Sequence, residues 1–305
     1  MKNSVVFIIF NRWDTSERVF EAIRQAKPPK LFVIADAPRP EIPDDAEKCA
    51  ITRSIIDRVD WDCEVLKNYS ETNLGPVKCI SRGIDWVFDC VESAIILEHD
   101  CLPDLTFFDF CDDLLEKYKY DTRVMHITGT NFGISGINKQ DSYYFSKRTD
   151  IWGWATWRRA WKYYDVNMSL LPDFIKYGQL KNLSTSNKDY HKKLQRWEYH
   201  YTHSIKKTWD IQWHFACMSQ GSYSIVPNKN LVRNIGFGEQ ALNTTYTESR
   251  SAKLDLEKME FPLSHPKFFI RDTYADDMYV RQRQGEESQR IDKRINRKIK
   301  KWFNF

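Results

Sequence analysis

Ala94-Ile95-Ile96-Leu97-Glu98-His99-Asp100-Cys101-Leu102-Pro103 decides the reading of this chain. Four apolar residues in a row predict a strand buried on both faces, which is the signature of a parallel sheet covered by helices. The run ends in two carboxylates flanking an imidazole, and Pro103 closes the segment. A carboxylate at a strand end reaches outward while the sheet holds its backbone in place. Oxygen donors of this kind suit Mg²⁺ or Mn²⁺, which share one or two protein carboxylates with substrate phosphates. A solvated turn after a strand is the plain alternative.

Working outward, the same alternation of short apolar runs and amphipathic stretches fills the first 128 residues. Val5 to Phe10, Leu31 to Ala35, Cys63 to Tyr69 and Val124 to Thr128 predict further strands. Asp14-Thr15-Ser16-Glu17 offers a capping box for a helix through about Gln25. Further helices are expected over Ala46 to Val59, from Gly75 to about Phe88, and after Pro103 with Phe107, Phe108 and Leu114 on one side. The expected class is α/β, a mostly parallel central sheet flanked by helices with a helical, aromatic second half. The chain divides into residues 1–135, a nucleotide-binding half; residues 136–245, an acceptor-side half of the same domain; and residues 246–305, a loop-rich segment and a basic tail.

Ligands of open α/β sheets bind beyond the carboxyl ends of the strands. That rule directs attention to Glu98, His99 and Asp100, to Arg12 after the first strand, and to Asp36 after the second. Asp36 could accept from a base N–H, and Arg12 could offer a guanidinium to phosphate or stack on a base. Lys78 and Arg82 lie four apart on one helix face and either supplement that pocket or form a solvated surface. In Trp209-Asp210-Ile211-Gln212-Trp213, Asp210 stands at an expected helix start between aromatic residues. It is read either as a general base, taking the proton of an attacking hydroxyl, or as a helix cap. Trp152 to Trp157 reads as a sugar platform or a packing seam, and Gly236-Phe237-Gly238 as a closing loop or a turn.

Bulk composition bounds these readings. Of 305 residues, 42% are hydrophobic and 29% charged, which predicts a folded chain that buries one large core. No run is long enough for a signal or membrane-spanning segment, and the seven scattered cysteines form no C-x-x-C pair. A reduced, cytoplasmic protein is expected. The net charge of +4 conceals a basic end: from Arg281 to Phe305 nine Lys or Arg face three acids. Ile291, Ile295, Ile299 and Trp302 share one helical face there, predicting a helix that either packs on the body or rests on anionic lipid at the inner face of a membrane. Nothing accompanies this charge that would indicate nucleic-acid binding.

Taken in order, the motifs resemble a GT-A glycosyltransferase, closest to the N-acetylglucosaminyltransferase I family and bacterial glycosyltransferase-like proteins related to it. The family's Glu-Asp-Asp followed by Pro-Asp-Phe-Phe is similar to Glu98-His99-Asp100, Pro103-Asp104 and Phe107-Phe108. Val124 to Asn131, Gly133, Gly153-Trp154 and Trp209 to Trp213 match later segments, and Asn234-Ile235-Gly236 matches Asn-Phe-Gly in part. The resemblance spans roughly residues 5 to 240. It implies Asp100 as metal ligand for Mn²⁺ or Mg²⁺, a nucleotide-diphosphate donor of the UDP-sugar kind near Arg12 and Asp36, and Asp210 as general base. His99 stands where the family carries its central Asp. The expected activity is inverting, metal-dependent transfer of a sugar to a glycan or lipid-linked acceptor. A sugar-phosphate nucleotidyltransferase would share the sheet but would want glycines after the first strand, where Asn11-Arg12-Trp13-Asp14 has none. A non-catalytic carbohydrate- or nucleotide-binding protein is the third reading.

Overall fold

The computed structural model describes residues 1–184, 186–203, 208–237, 250–283 and 285. The basic stretch from 286 onward and Gly238 of the expected closing loop lie outside the described residues. The first half runs β1 (Ser4–Ile9), α1 (Trp13–Ala26), β2 (Lys30–Ala35), α2 (Asp45–Ser54), β3 (Glu64–Tyr69), α3 (Gly75–Cys90), β4 (Ser93–Glu98), β5 (Cys101–Pro103), α4 (Thr106–Lys117) and β6 (Val124–Thr128). There follow β7 (Tyr143–Ser146), β8 (Trp154–Trp157), α5 (Arg158–Trp161), α6 (Leu171–Lys176), α7 (Gln179–Asn182), α8 (Asn187–Thr202), α9 (Asp210–Ser219), β9 (Tyr223–Pro227) and β10 (Val232–Asn234). A last helix, α10, covers residues 273–283.

Eight strands form one mixed, mostly parallel sheet in the order β3-β2-β1-β4-β8-β6-β9-β7, and β5 and β10 form a separate antiparallel ribbon. The fold is therefore of the expected class. Strands β3, β2, β1 and β4 are parallel throughout. Beyond them β8 enters antiparallel between β4 and β6, and β7 closes the far edge antiparallel to β9.

Period two explains the two layers. Val5, Phe7, Ile95 and Leu97 face Val19, Phe20 and Ile23 of α1 and the phenylalanines of α4. Their neighbours Val6, Ile8, Ala94 and Ile96 face Ile80, Ile84 and Val87 of α3, together with Trp213 and Ala216 of α9. Each residue of such a strand is buried on one side or the other, so the strand reads as a continuous apolar run.

Two local expectations change. The capping box after β1 does not form: α1 begins at Trp13 with no side-chain cap. Ser16 instead donates both its N–H (3.0 Å) and its hydroxyl (2.6 Å) to the Arg12 carbonyl, which moves the cap position from Asp14 back to Arg12. The helix expected over Ala46 to Val59 is α2 followed by a 3₁₀ turn, Ile55–Arg58.

Candidate active site

The parity of β4 places the first carboxylate. Ala94 and Ile96 point to the layer occupied by α9, so Glu98 points there too, toward Trp209 and Asp210 at the start of that helix. Burial, and the charges of Asp100 and then Asp210, push the Glu98 carboxyl up to about 8, while a hydrogen bond from the Trp209 side chain works the other way. Glu98 Oε1 is buried without a hydrogen-bond partner. Glu98, at the end of β4, thus feels the charges of two other carboxylates, Asp100 from the turn after the strand and Asp210 from α9.

Asp100 is fixed from above by the ribbon of β5 and β10. Its carbonyl accepts the Ile235 N–H at 2.8 Å, continuing the pairing of Cys101 with Asn234. Gly236 then lies directly on the carboxylate: a β-carbon on Gly236 would sit 2.8 Å from Asp100 Cβ and 2.9 Å from Cγ. The ribbon reaches this position because Gly129 and Gly153 let Val232 approach their backbones; Gly153, at φ +62°, also needs the left-handed conformation. Arg12 completes the corner by donating from Nη1 to the Gly236 carbonyl (3.4 Å), and its Nε, 3.6 Å from Asp14, is buried without a hydrogen bond. His99 turns toward this side, where burial lowers its pKa against the pull of the Asp100 charge, and Arg12 lowers it further. The structure therefore brings Arg12, Glu98, His99, Asp100 and Asp210 together.

Asp36 is placed differently from the sequence expectation of an open acceptor. Its Oδ1 accepts the N–H groups of Ala37 and Leu74 at 2.9 Å each, and its Oδ2 accepts that of Gly75 at 2.8 Å. Buried and held by three amides, it ties the end of β2 to the start of α3. Lys78 and Arg82 are exposed on α3. Arg82 lines a cavity of about 350 Å³ between β3 and α3 with Asn68, Ser70, Thr72 and Leu74, and Lys78 is not among its lining residues.

The aromatic segment is a packing seam. Trp154 and Trp213 are fully buried and Trp209 nearly so, and Trp154 stacks on Trp209 at 5.5 Å and on His126 at 5.3 Å. These rings carry α9 on the sheet and so position Asp210; they are not exposed as a sugar platform. Asp210 does not cap α9, and its Oδ1 accepts from the Thr208 hydroxyl.

Sequence reasoning missed several contributors. Trp213 Nε1 donates to His126 Nδ1 at 3.2 Å, which leaves His126 Nε2 to donate to the Asp150 carbonyl at 3.0 Å. Gln212 is fully buried with neither amide atom partnered, and Trp154 Nε1 is also unpaired. Unpaired polar atoms are rare in protein interiors and mark places where water or a ligand group is accommodated. A glutamine inside an otherwise apolar helix face was the one available signal. Beyond the ends of β1 and β2, Arg39 and Asn11 both donate to Asp45, and Arg53 donates to the Asp36 carbonyl.

The donor set at this corner is oxygen-based, and the charge that Asp100 and Asp210 place on Glu98 is what a hard divalent cation offsets, so the residues fit Mg²⁺ or Mn²⁺. Among the described residues no group of three or more His, Cys, Asp or Glu is arranged to hold a metal unaided.

No protein-family model matches the sequence, and no curated protein matches it. Among solved structures, a fragment of S. aureus TarS (residues 1–349) is 9% identical with a TM-score of 0.42, covering 76% of this chain. The chain spans 59% of the length of that structure. Apo UDP-glucose pyrophosphorylase is 9% identical with a TM-score of 0.41, covering 77% of this chain and 93% of its own. HddC from Yersinia pseudotuberculosis complexed with GMP-PN is 12% identical with a TM-score of 0.31, covering 52% and 78%. Likenesses at this level bear on no part of the chemistry, and the fold assignment rests on the strand order and register.

Proposed function

We propose that this chain is a metal-dependent, inverting glycosyltransferase that moves a sugar from a nucleotide diphosphate of the UDP-sugar kind to a glycan or lipid-linked acceptor. The observation that carries the reading is the place of Glu98, which ends β4 and feels the charges of both Asp100, in the turn after the strand, and Asp210, at the start of α9. A strand-end carboxylate for the donor and a second carboxylate from a different element for the acceptor are what such a transfer needs.

Asp100 would hold the metal, which when bound neutralises the leaving diphosphate and orients it. Arg12 would add positive charge on the same side. Asp210 would accept the proton of the acceptor hydroxyl as its oxygen attacks the anomeric carbon and the bond to the diphosphate oxygen breaks. The geometry parallels inverting hydrolysis, with an acceptor hydroxyl in the place of water. Gly236, lying on Asp100 and held by Arg12, would close the metal side of the cleft.

A sugar-phosphate nucleotidyltransferase is the second reading, since the same corner could hold the metal of a nucleoside triphosphate. The turn from β1 into α1 carries no glycine to cradle a triphosphate, which favours the first reading.

Thermal-shift measurements with UDP, UDP-sugars and nucleoside triphosphates, with and without Mn²⁺, separate the two. Stabilisation by UDP-sugars only with metal supports transfer; a ligand at about a hundred times its Kd adds roughly 2.7 kcal/mol. Pyrophosphate release from a triphosphate and a sugar phosphate would install the nucleotidyltransferase instead. No response to any of them would remove both.

A further inference from the structure

The segment between residue 264 and α10 alternates in a way the enzyme reading does not use. Phe269 turns inward, 4.2 Å from the Phe145 ring and under the Arg123 guanidinium at 3.7 Å. Its neighbours Phe268 and Ile270 turn outward, 67% and 70% exposed. Backbone pairing of Arg271 with Phe145 and the Asp272 N–H to the Phe145 carbonyl (2.8 Å) fix this alternation along the edge of the sheet. Ile137, 70% exposed, is fastened beside them, because its N–H donates to Asp272 Oδ2 at 2.6 Å. One turn apart on α10, Tyr274 and Met278 are exposed as well, while Ala275 and Tyr279 face the body.

Large apolar side chains held outward on a rigid edge mark an interaction surface, whereas exposed apolar residues scattered singly do not. The charges around them select the partner. Asp272 spends both carboxylate oxygens on the N–H groups of Ile137 and Ala275. Asp276 is buried against Ser146 and Arg271. Two of the three acids of this segment are thus turned inward and Asp277 is half-buried, while Lys139, Lys267 and Arg281 are exposed beside the apolar residues. Beyond Arg281 the chain carries eight more Lys or Arg against three acids. Apolar and aromatic side chains with a basic surround suit the interface of an anionic bilayer, where rings sit at the headgroup level and each nearby Lys or Arg adds attraction.

We infer that Phe268, Ile270, Ile137, Tyr274 and Met278 form a docking surface for an anionic lipid bilayer. The surface is independent of the transferase reading. The end of α10 nonetheless links it to the site: Gln282 donates to the Phe132 carbonyl, and Phe132 packs on Trp152, which packs on Phe237 beside Gly236. A protein held this way would present its cleft within reach of an acceptor carried in the membrane.

The test is flotation of the full chain with vesicles of phosphatidylcholine alone and with about a third phosphatidylglycerol. The unmodified protein is expected to float with the anionic vesicles only, and to be released as salt is raised. The F268S/I270S double variant should bind at least about tenfold more weakly, and K267E/R281E should show a weakened preference for anionic lipid. Phe268 and Ile270 are so exposed that both variants should keep the melting temperature of the parent. Equal flotation of parent and F268S/I270S would overturn the inference by placing lipid contact elsewhere. So would absence of flotation, or a parent dimer in light scattering that the double variant dissociates without any vesicle binding.

Discussion

Gly236 rests its Cα against the Asp100 carboxylate, so that a β-carbon added there would fall 2.8 Å from Asp100 Cβ. The two residues are brought together by the short ribbon of β5 and β10, across more than a hundred residues of chain. The contact makes the orientation of Asp100 depend on an atom that Gly236 lacks. Gly236→Ala should displace Asp100 together with the adjoining ribbon, because the added carbon meets Asp100 Cβ as well as its carboxylate, and Cβ does not move when the side chain rotates. The expected result is about a tenfold loss in manganese-stimulated binding of nucleotide sugar, with the metal-independent part unchanged. Isothermal titration with and without metal would reveal it; unchanged metal dependence would mean that Asp100 does not hold the ion.

Asp210 reaches the same corner from α9 and is the proposed base. General bases contribute about 10² to 10⁴ in rate. Asp210→Asn is isosteric and should lower donor turnover at least about a hundredfold while the Kd for the nucleotide stays within about twofold. Turnover near the parent level would take Asp210 out of the mechanism and leave the carboxylates of β4 to be tested in its place.

What could be read from the sequence follows from how local each feature is. The strand of Ala94 to Leu97 was legible because both of its faces are buried and the apolar run is unbroken. The position of Asp100 was legible because it lies just past that strand. Strand β8 was not, since Trp154 to Trp157 looks the same as a platform or a seam until β4 and β6 are seen to flank it. The amide partners of Asp36 were hidden for a similar reason, because Leu74 and Gly75 are contributed by the next loop but one. Gly236 resembled a hinge, and only the pairing of β10 with β5 placed it on Asp100.

The amide cradle of Asp36 leads to a prediction about stability. Asparagine at this position presents an NH₂ where Gly75 or Leu74 also offers an N–H, so at least one buried donor loses its acceptor. Leaving such a group unsatisfied costs about 1–3 kcal/mol. Asp36→Asn should therefore lower the urea midpoint without a change in slope, in the absence of any nucleotide. A variant as stable as the parent that binds nucleotide poorly would instead return Asp36 to the role of base acceptor.

His126 supplies the pH dependence. It is buried between Trp154 and Trp213, and burial lowers its pKa to about 3, with the bond to the Asp150 carbonyl opposing that shift. Because the folded pKa lies below the unfolded value of about 6.5, the unfolded chain binds a proton between those limits that the folded chain refuses. Stability should consequently fall as pH drops from about 6.5 toward 3, by up to about 1.4 kcal/mol per pH unit for this one group. Glutamine at position 126 keeps an acceptor for the Trp213 N–H and a donor for the Asp150 carbonyl but does not titrate. Between pH 6 and 5 His126→Gln should thus lose stability less steeply than the parent, by about one proton in the slope. Parallel curves from urea titrations across that interval would show that the imidazole is protonated in the folded state, and that the Trp213 bond is not what holds α9 to the sheet.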